Sequence, residues 1–325
     1  MASSSSIQRK VVTEFPGVIR VYDDGTVDRL RDTDFAPPSS SSPDADGVSS
    51  KDVVIVPSSN FSARLYLPRR HRPAALHQKK LPLLLYFHGG AFVVASAFCA
   101  KYHRYVSRLA AESQSVVVSF DYRLAPENPI PAAYEDSRAG LHWAESHRAR
   151  CGPDPWLNEH ADFDRVFLVG DSAGANIVHN LAMGLHRGLL FGAALVHPYF
   201  WGSKPIGSEP SFPQPEVRAA ADRLWPFICP SNPDNDDPRV KPEAPGGPGL
   251  VGLGCRRVLV CVAEKDLLRD RGRLYYETLG RSGWVGVREV FETEGEGHGF
   301  HLYDLDGEKA RALIKRMAAF FNCTN

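Results

Sequence analysis

From Leu83 onward the chain alternates short apolar runs with segments patterned for helices, and this alternation restricts its fold more than any other feature. Leu83 to Phe87, Val116 to Phe120, Val166 to Val169, Ala193 to Val196, Val258 to Ala263 and Val287 to Phe291 read as buried strands. Between them, Tyr102, Tyr105, Val106, Leu109 and Ala110 recur at helical spacing. Pro131 to His147 opens on a proline, which suits the first turn of a helix. Ala175 to Arg187 and about Arg269 to Ser282 read as further helices. The last helix carries Ala310, Leu313, Ile314, Met317 and Phe321 on one face. Strands apolar on both faces, separated by helices, predict a mostly parallel sheet covered on both sides.

The flanking segments are less regular. Phe15 to Tyr22 is an apolar arm, and residues 37–50 are rich in proline and serine. Val53 to Val56 and Ala63 to Leu67 read as two strands around a turn at Ser58 to Asn60. The basic stretch from Arg69 to Lys80 reads as a solvated hairpin loop, with a nuclear signal or an anion-binding patch as the other readings. Residues 200–250 break the alternation with aromatic residues among many prolines and glycines. So long an insertion after a strand end predicts a lid over a site at the carboxyl edge of the sheet.

Composition removes several functional classes. Lys plus Arg and Asp plus Glu both total 38 in 325 residues, and so balanced a chain lacks the basic excess of a nucleic-acid binder. No apolar run is long enough to span a bilayer, and the serine-rich start has no secretory core, so a cytoplasmic protein without stable membrane insertion is expected. The six cysteines then read as free thiols, and the sequons at Asn60 and Asn322 as chance matches. Gly247 to Gly252 fits G-x-G-x-x-G, but no strand precedes it and Pro248 interrupts it. No metal-ligand spacing occurs, so neither a metal nor a cofactor is expected.

Chemistry concentrates at Gly170-Asp171-Ser172-Ala173-Gly174, a G-x-S-x-G between a strand and a helix. That turn is sharp enough to need small residues on both sides of the serine. A serine hydroxyl is a weak nucleophile and needs a base, which in turn needs an orienting acid. His298, bracketed by Gly297 and Gly299, is the candidate base, with His301 as its rival. Asp266 is the candidate acid because it ends the strand Val258 to Ala263, and Asp270 and Glu264 are the alternatives. His88-Gly89-Gly90-Ala91 follows another strand and can present backbone N–H groups to an oxyanion. Gly89, Gly90 and Ala173 are the candidate donors.

His88-Gly89-Gly90, Asp121 to Glu127 and Gly170 to Asn176 together resemble the hormone-sensitive-lipase-like α/β-hydrolases. Phe15-Pro16-Gly17, Asp154 to Leu157, His197 to Gly202 and Lys265 to Asp270 narrow the resemblance to the plant carboxylesterases. The resemblance implies a single α/β-hydrolase domain over 1–325, capped by elements at about 1–50 and 200–250. It implies hydrolysis of a small-molecule ester without cofactor, with Ser172, Asp266 and His298 as a triad. In Asp121-Tyr122-Arg123 it implies a structural brace for the oxyanion loop. The same family holds a gibberellin receptor without the catalytic histidine, from which His298 separates this chain, and a hydroxyisoflavanone dehydratase.

Overall fold

The computed structural model describes residues 9–39, 42–69, 80–186 and 188–323. Residues 70–79, most of the basic stretch, lie outside the described residues. Eight strands form the main sheet: β4 (Val48–Val56), β5 (Phe61–Pro68), β6 (Leu81–Phe87), β7 (Val116–Asp121), β8 (Ala161–Asp171), β9 (Leu190–Val196), β10 (Cys255–Ala263) and β11 (Val287–Thr293). Their order is β11-β10-β9-β8-β6-β7-β5-β4. The hairpin β4–β5 joins antiparallel, and the six strands from β6 to β11 pair in parallel.

Successive residues of a strand point to opposite faces, so each continuous apolar run supplies two cores. Leu83, Leu85 and Phe87 of β6, with Val166 and Leu168 of β8, face one of them. There they meet α2 (Ala132–Glu145), α4 (Ala173–Met183) and α6 (Arg269–Arg281) through Leu141, Ile177, Val178 and Leu279. Leu84 and Tyr86, with Phe167 and Val169, face the other. There α1 (Ala100–Ser113) and α8 (Glu308–Asn322) cover them with Tyr105, Leu109, Leu313 and Met317. Each strand and helix expected from Leu83 onward is present, and all six cysteines are free.

The parallel register brings the strand ends level. Phe87 pairs with Gly170, Asp171 with Val196, and Val196 with Cys261. The loops carrying His88, Ser172, His197 and Asp266 therefore open at one edge, the carboxyl edge where open α/β sheets place their ligands.

Two segments rise from that side of the chain. β1 (Val11–Phe15), β2 (Ile19–Tyr22) and β3 (Val27–Arg29) form a separate antiparallel sheet, so the apolar arm is itself folded. The 200–250 segment contains a helix, α5 (Pro215–Ile228). The two meet where Phe15 packs on Phe227 (ring centroids 5.2 Å apart) and the Arg223 guanidinium lies over Phe15. Arg29 ties the arm to the main domain, donating to Val93 O, Ala125 O and both Glu127 carboxylate oxygens.

The 200–250 segment is anchored on the first turn of α6. Asp270 accepts from the Ser208 N–H and hydroxyl. Arg271 donates to both carboxylate oxygens of Glu209 and to Lys204 O, and each side chain of the pair is 1% exposed. A buried ion pair adds little over an apolar pair, but removing one partner strands the other's charge. Arg271→Met should therefore lose about 3–5 kcal/mol in denaturant unfolding, and Arg271→Met/Glu209→Leu should recover most of it. Wild-type stability in the single variant would show that the pair holds nothing.

Candidate active site

The serine turn is built by steric exclusion. Ser172 sits at φ 52°, ψ −115°, between β8 and α4. A Cβ at Gly174 would lie 1.9 Å from Phe87 O, and one at Gly170 2.5 Å from the Gly174 carbonyl group. Only glycine lets strand and helix cross this closely, and the left-handed φ lifts the serine out of both elements. The Ser172 N–H donates to Val196 O, and its carbonyl accepts from Tyr199 N–H and Asn176 N–H. The backbone is fixed on both sides of the hydroxyl.

His298 and Asp266 come to this serine from neighbouring loops. His298 Nε2 is 2.9 Å from Ser172 Oγ, and His298 Nδ1 is 2.8 Å from Asp266 Oδ2. The Leu268 N–H donates to Asp266 Oδ1. The Asp266 side chain is 1% exposed, whereas that of His298 is 41% exposed. The acid is dry, and the imidazole opens toward anything bound over the serine. Burial works against the Asp266 charge. The attraction of His298, its hydrogen bond and the Leu268 N–H outweigh that and hold the carboxyl below its usual range.

The rival candidates lie elsewhere. His301 is buried against the rings of Tyr105 and His197, away from the serine. Asp270 holds Ser208, and Glu264 accepts from the Gly295 N–H.

The oxyanion loop departs from expectation at one residue. The Gly89 N–H is not free: it donates to Tyr102 Oη (2.8 Å) and to Asp171 Oδ1 (3.1 Å). Tyr86 and Tyr102 hydroxyls donate to the two oxygens of the same buried carboxylate. A Cβ at Gly89 would lie 2.4 Å from Asp171 Oδ2, so glycine there serves close packing rather than donation outward. The chain then turns through left-handed φ at Gly90, Ala91 and Phe92. The N–H groups of Gly90, Ala91 and Ala173 meet no acceptor among the described residues. Gly89 is thus corrected as a donor, and Ala91 takes its place among the available amides. As expected, Tyr122 braces the loop, its hydroxyl donating to His88 O while its ring stacks on His88.

The Ala91 N–H stays available, as the His88 to Ala91 run implies; the roles of Asp171 and Tyr102 are not legible in the sequence. Asp171 was visible as the second residue of the serine pentapeptide, and Tyr102 as a core position of α1. Their pairing exists only once α1 lies across the strand ends.

His197, Asp266 and His298 offer ligand atoms within 4.8 Å of one another. His298 and Asp266 already share a hydrogen bond, and His197 Nδ1 accepts the Gly299 N–H. His298 and Asp266 are thus engaged with each other, and His197 is engaged separately by the Gly299 N–H. Gly247 to Gly252 falls in a loop and a short 3₁₀ turn, with no strand before it. No helix among the described residues is long and apolar enough to cross a membrane.

Comparison with known proteins bears on the family and the fold. Residues 84–302 match the family model described as the alpha/beta hydrolase fold. The chain is 41% identical over 321 residues to probable carboxylesterase 2 of Arabidopsis thaliana, covering 98% of each chain. It is 44% identical over 333 residues to 2-hydroxyisoflavanone dehydratase of Glycyrrhiza echinata, covering 98% of this chain and 99% of that one. Among solved structures, the thermostable carboxylesterase EstE1, cloned from a metagenomic library, superposes with a TM-score of 0.69 at 30% identity, covering 86% of this chain and 89% of that one.

Proposed function

Because the chain belongs to the alpha/beta hydrolase fold family, we propose that it is a carboxylesterase that hydrolyses small carboxylic esters through a serine acyl-enzyme. The unbroken chain from Ser172 Oγ through His298 to Asp266 carries this reading. Ser172 Oγ attacks the ester carbonyl as His298 Nε2 takes its proton. The Gly90, Ala91 and Ala173 N–H groups receive the negative charge that develops on the carbonyl oxygen. Donors fixed before the reaction need no reorganisation when that charge appears, and each typically contributes about 10²–10³ in rate. His298 then gives its proton to the departing alcohol. Water attacks the acyl-enzyme as His298 accepts its proton; the bond from the acyl carbon to Ser172 Oγ then breaks, His298 returns the proton to Oγ, and the carboxylic acid leaves. Asp266 keeps the imidazole in the tautomer with its proton on Nδ1 and stabilises the transient imidazolium.

The arm of β1–β3 and the 200–250 segment act as the cap of a single domain, supported by the packing of Phe15 on Phe227. The test is turnover of a short-chain aryl ester together with labelling by a fluorophosphonate serine probe. An inert, unlabelled wild-type protein would sink the assignment.

The strong similarity to a dehydratase supports one second reading, elimination of water from a specialised metabolite at the same site. An assay with 2-hydroxyisoflavanone separates the two, since dehydration without ester turnover would favour it.

The pH dependence follows from His298. Burial opposes its charge, but the attraction of Asp266 and the hydrogen bond to it prevail and raise the imidazole above its ordinary 6.5. The base must be neutral to accept a proton. Activity should therefore rise with pH through an acid limb centred above 6.5 in a kcat/KM profile. A limb centred below that value would contradict the coupling to Asp266.

A further inference from the structure

We propose that His197 is the positioning residue that holds the His298 loop in register with Ser172, by accepting the Gly299 N–H. The inference rests on the serine-esterase reading and concerns how its base is kept in place.

His197 follows β9, between the strands that lead to Ser172 and Asp266. It is 1% exposed and has a left-handed φ of 47°. Its N–H donates to Cys261 O at 2.8 Å, which fixes it to β10. The Gly299 N–H donates to His197 Nδ1 at 3.0 Å. Gly299 is the next residue after His298, so one bond joins the loop of the base to the strand beside the nucleophile. Gly297 and Gly299 flank His298, and Gly299 itself has φ +69°. A loop of such residues has many conformations open to it, and a fixed acceptor selects one.

The bond also fixes the tautomer. Nδ1 receives a proton, so it carries the lone pair and the ring proton lies on Nε2. A protonated His197 could not accept. The titratable groups around it are Asp266, His298 and His301. Burial dominates, and it pushes the imidazole down to about 4. Asp266 opposes this shift and His298 reinforces it. The acceptor therefore persists throughout the range in which His298 itself changes charge.

His197→Asn keeps an acceptor. Its Oδ1 branches from the side chain at the same bond as Nδ1, and asparagine tolerates left-handed backbone. His197→Leu fills similar space with no acceptor. Each variant is measured per fluorophosphonate-titrated site, so that any misfolded fraction is divided out. If the leucine variant yields no titratable sites, His197→Ala replaces it.

In His197→Leu, kcat should fall about 10- to 100-fold with KM nearly unchanged, the size of effect expected when a reacting group is displaced by about 1 Å. The acid limb should move down toward 6.5, because a displaced His298 loses part of its bond to Asp266. His197→Asn should recover most of kcat and return the limb to its wild-type position. Wild-type kcat and limb in the leucine variant would overturn the inference, as would an asparagine variant no better than leucine. Aryl-ester turnover by the wild type, abolished in Ser172→Ala, is the separate control on the esterase reading. A normal leucine variant with that control intact refutes the positioning role alone.

Discussion

Ser172→Ala should lower kcat for a short-chain aryl ester by a factor of about 10⁶ and abolish fluorophosphonate labelling, the scale seen when a triad nucleophile is removed. The protein itself should remain folded. Ser172 makes its structural bonds through the backbone, to Val196, Tyr199 and Asn176, and alanine keeps all of them. Alanine meets the same left-handed φ of 52° that serine already tolerates there. An unchanged melting curve with lost turnover separates loss of chemistry from loss of fold. Some rate above that of water alone should persist, because the Gly90, Ala91 and Ala173 amides remain available to a carbonyl oxygen. Undiminished turnover in this variant would move the nucleophile elsewhere.

Asp266→Asn should cost about 10⁴ in kcat, the loss known when a triad acid becomes its amide. The amide is almost isosteric, but it turns an N–H donor toward His298 Nδ1 or leaves that bond uncharged. The imidazole then favours the tautomer with its proton on Nε2, which points at Ser172 and cannot accept. Removing the charge also removes the main influence that raises His298, so residual activity should show an acid limb displaced downward. A loss below tenfold, with the limb unmoved, would mean that Asp266 neither orients nor charges the base. Asp270 and Glu264 would then need testing, although each is occupied by another partner.

Much of this architecture is legible before any coordinates. The parallel strands announce themselves because both faces are buried, which leaves uniform apolar runs bounded by polar turns. The serine pentapeptide is legible because α4 packs so closely on β8 at Gly170 and on the end of β6 at Gly174 that only glycine fits at either position. His298 and Asp266 are legible because the strand ends are level, so each candidate need only follow its strand.

Other features depend on distant partners. Which amides of His88 to Ala91 face outward is decided by Asp171 and Tyr102, 82 and 13 residues from Gly89, and no local pattern encodes that. The helix Pro215–Ile228 was in principle readable. Val217, Ala220, Ala221, Leu224, Trp225 and Ile228 recur at helical intervals, but surrounding prolines and an internal Pro226 mask them. The arm of β1–β3 reads only as an apolar stretch, because its strands are short and pair only with one another.

The two sockets at the start of α6 bear on how such a scaffold can diversify. Asp270 and Arg271 stand four and five residues beyond Asp266, and they receive Ser208 and Glu209 from the 200–250 segment. The 200–250 segment and the acid thus stand on one short piece of chain. A foreign covering grafted between residues 203 and 241 will seat only if it brings counterparts of Ser208 and Glu209. A graft lacking them would take from Arg271 its buried Glu209 partner and leave it only the longer contact to Glu243, at 3.9 Å. Change confined to the outer face of α5, where Val217 is exposed and Arg218 half-buried, avoids that linkage.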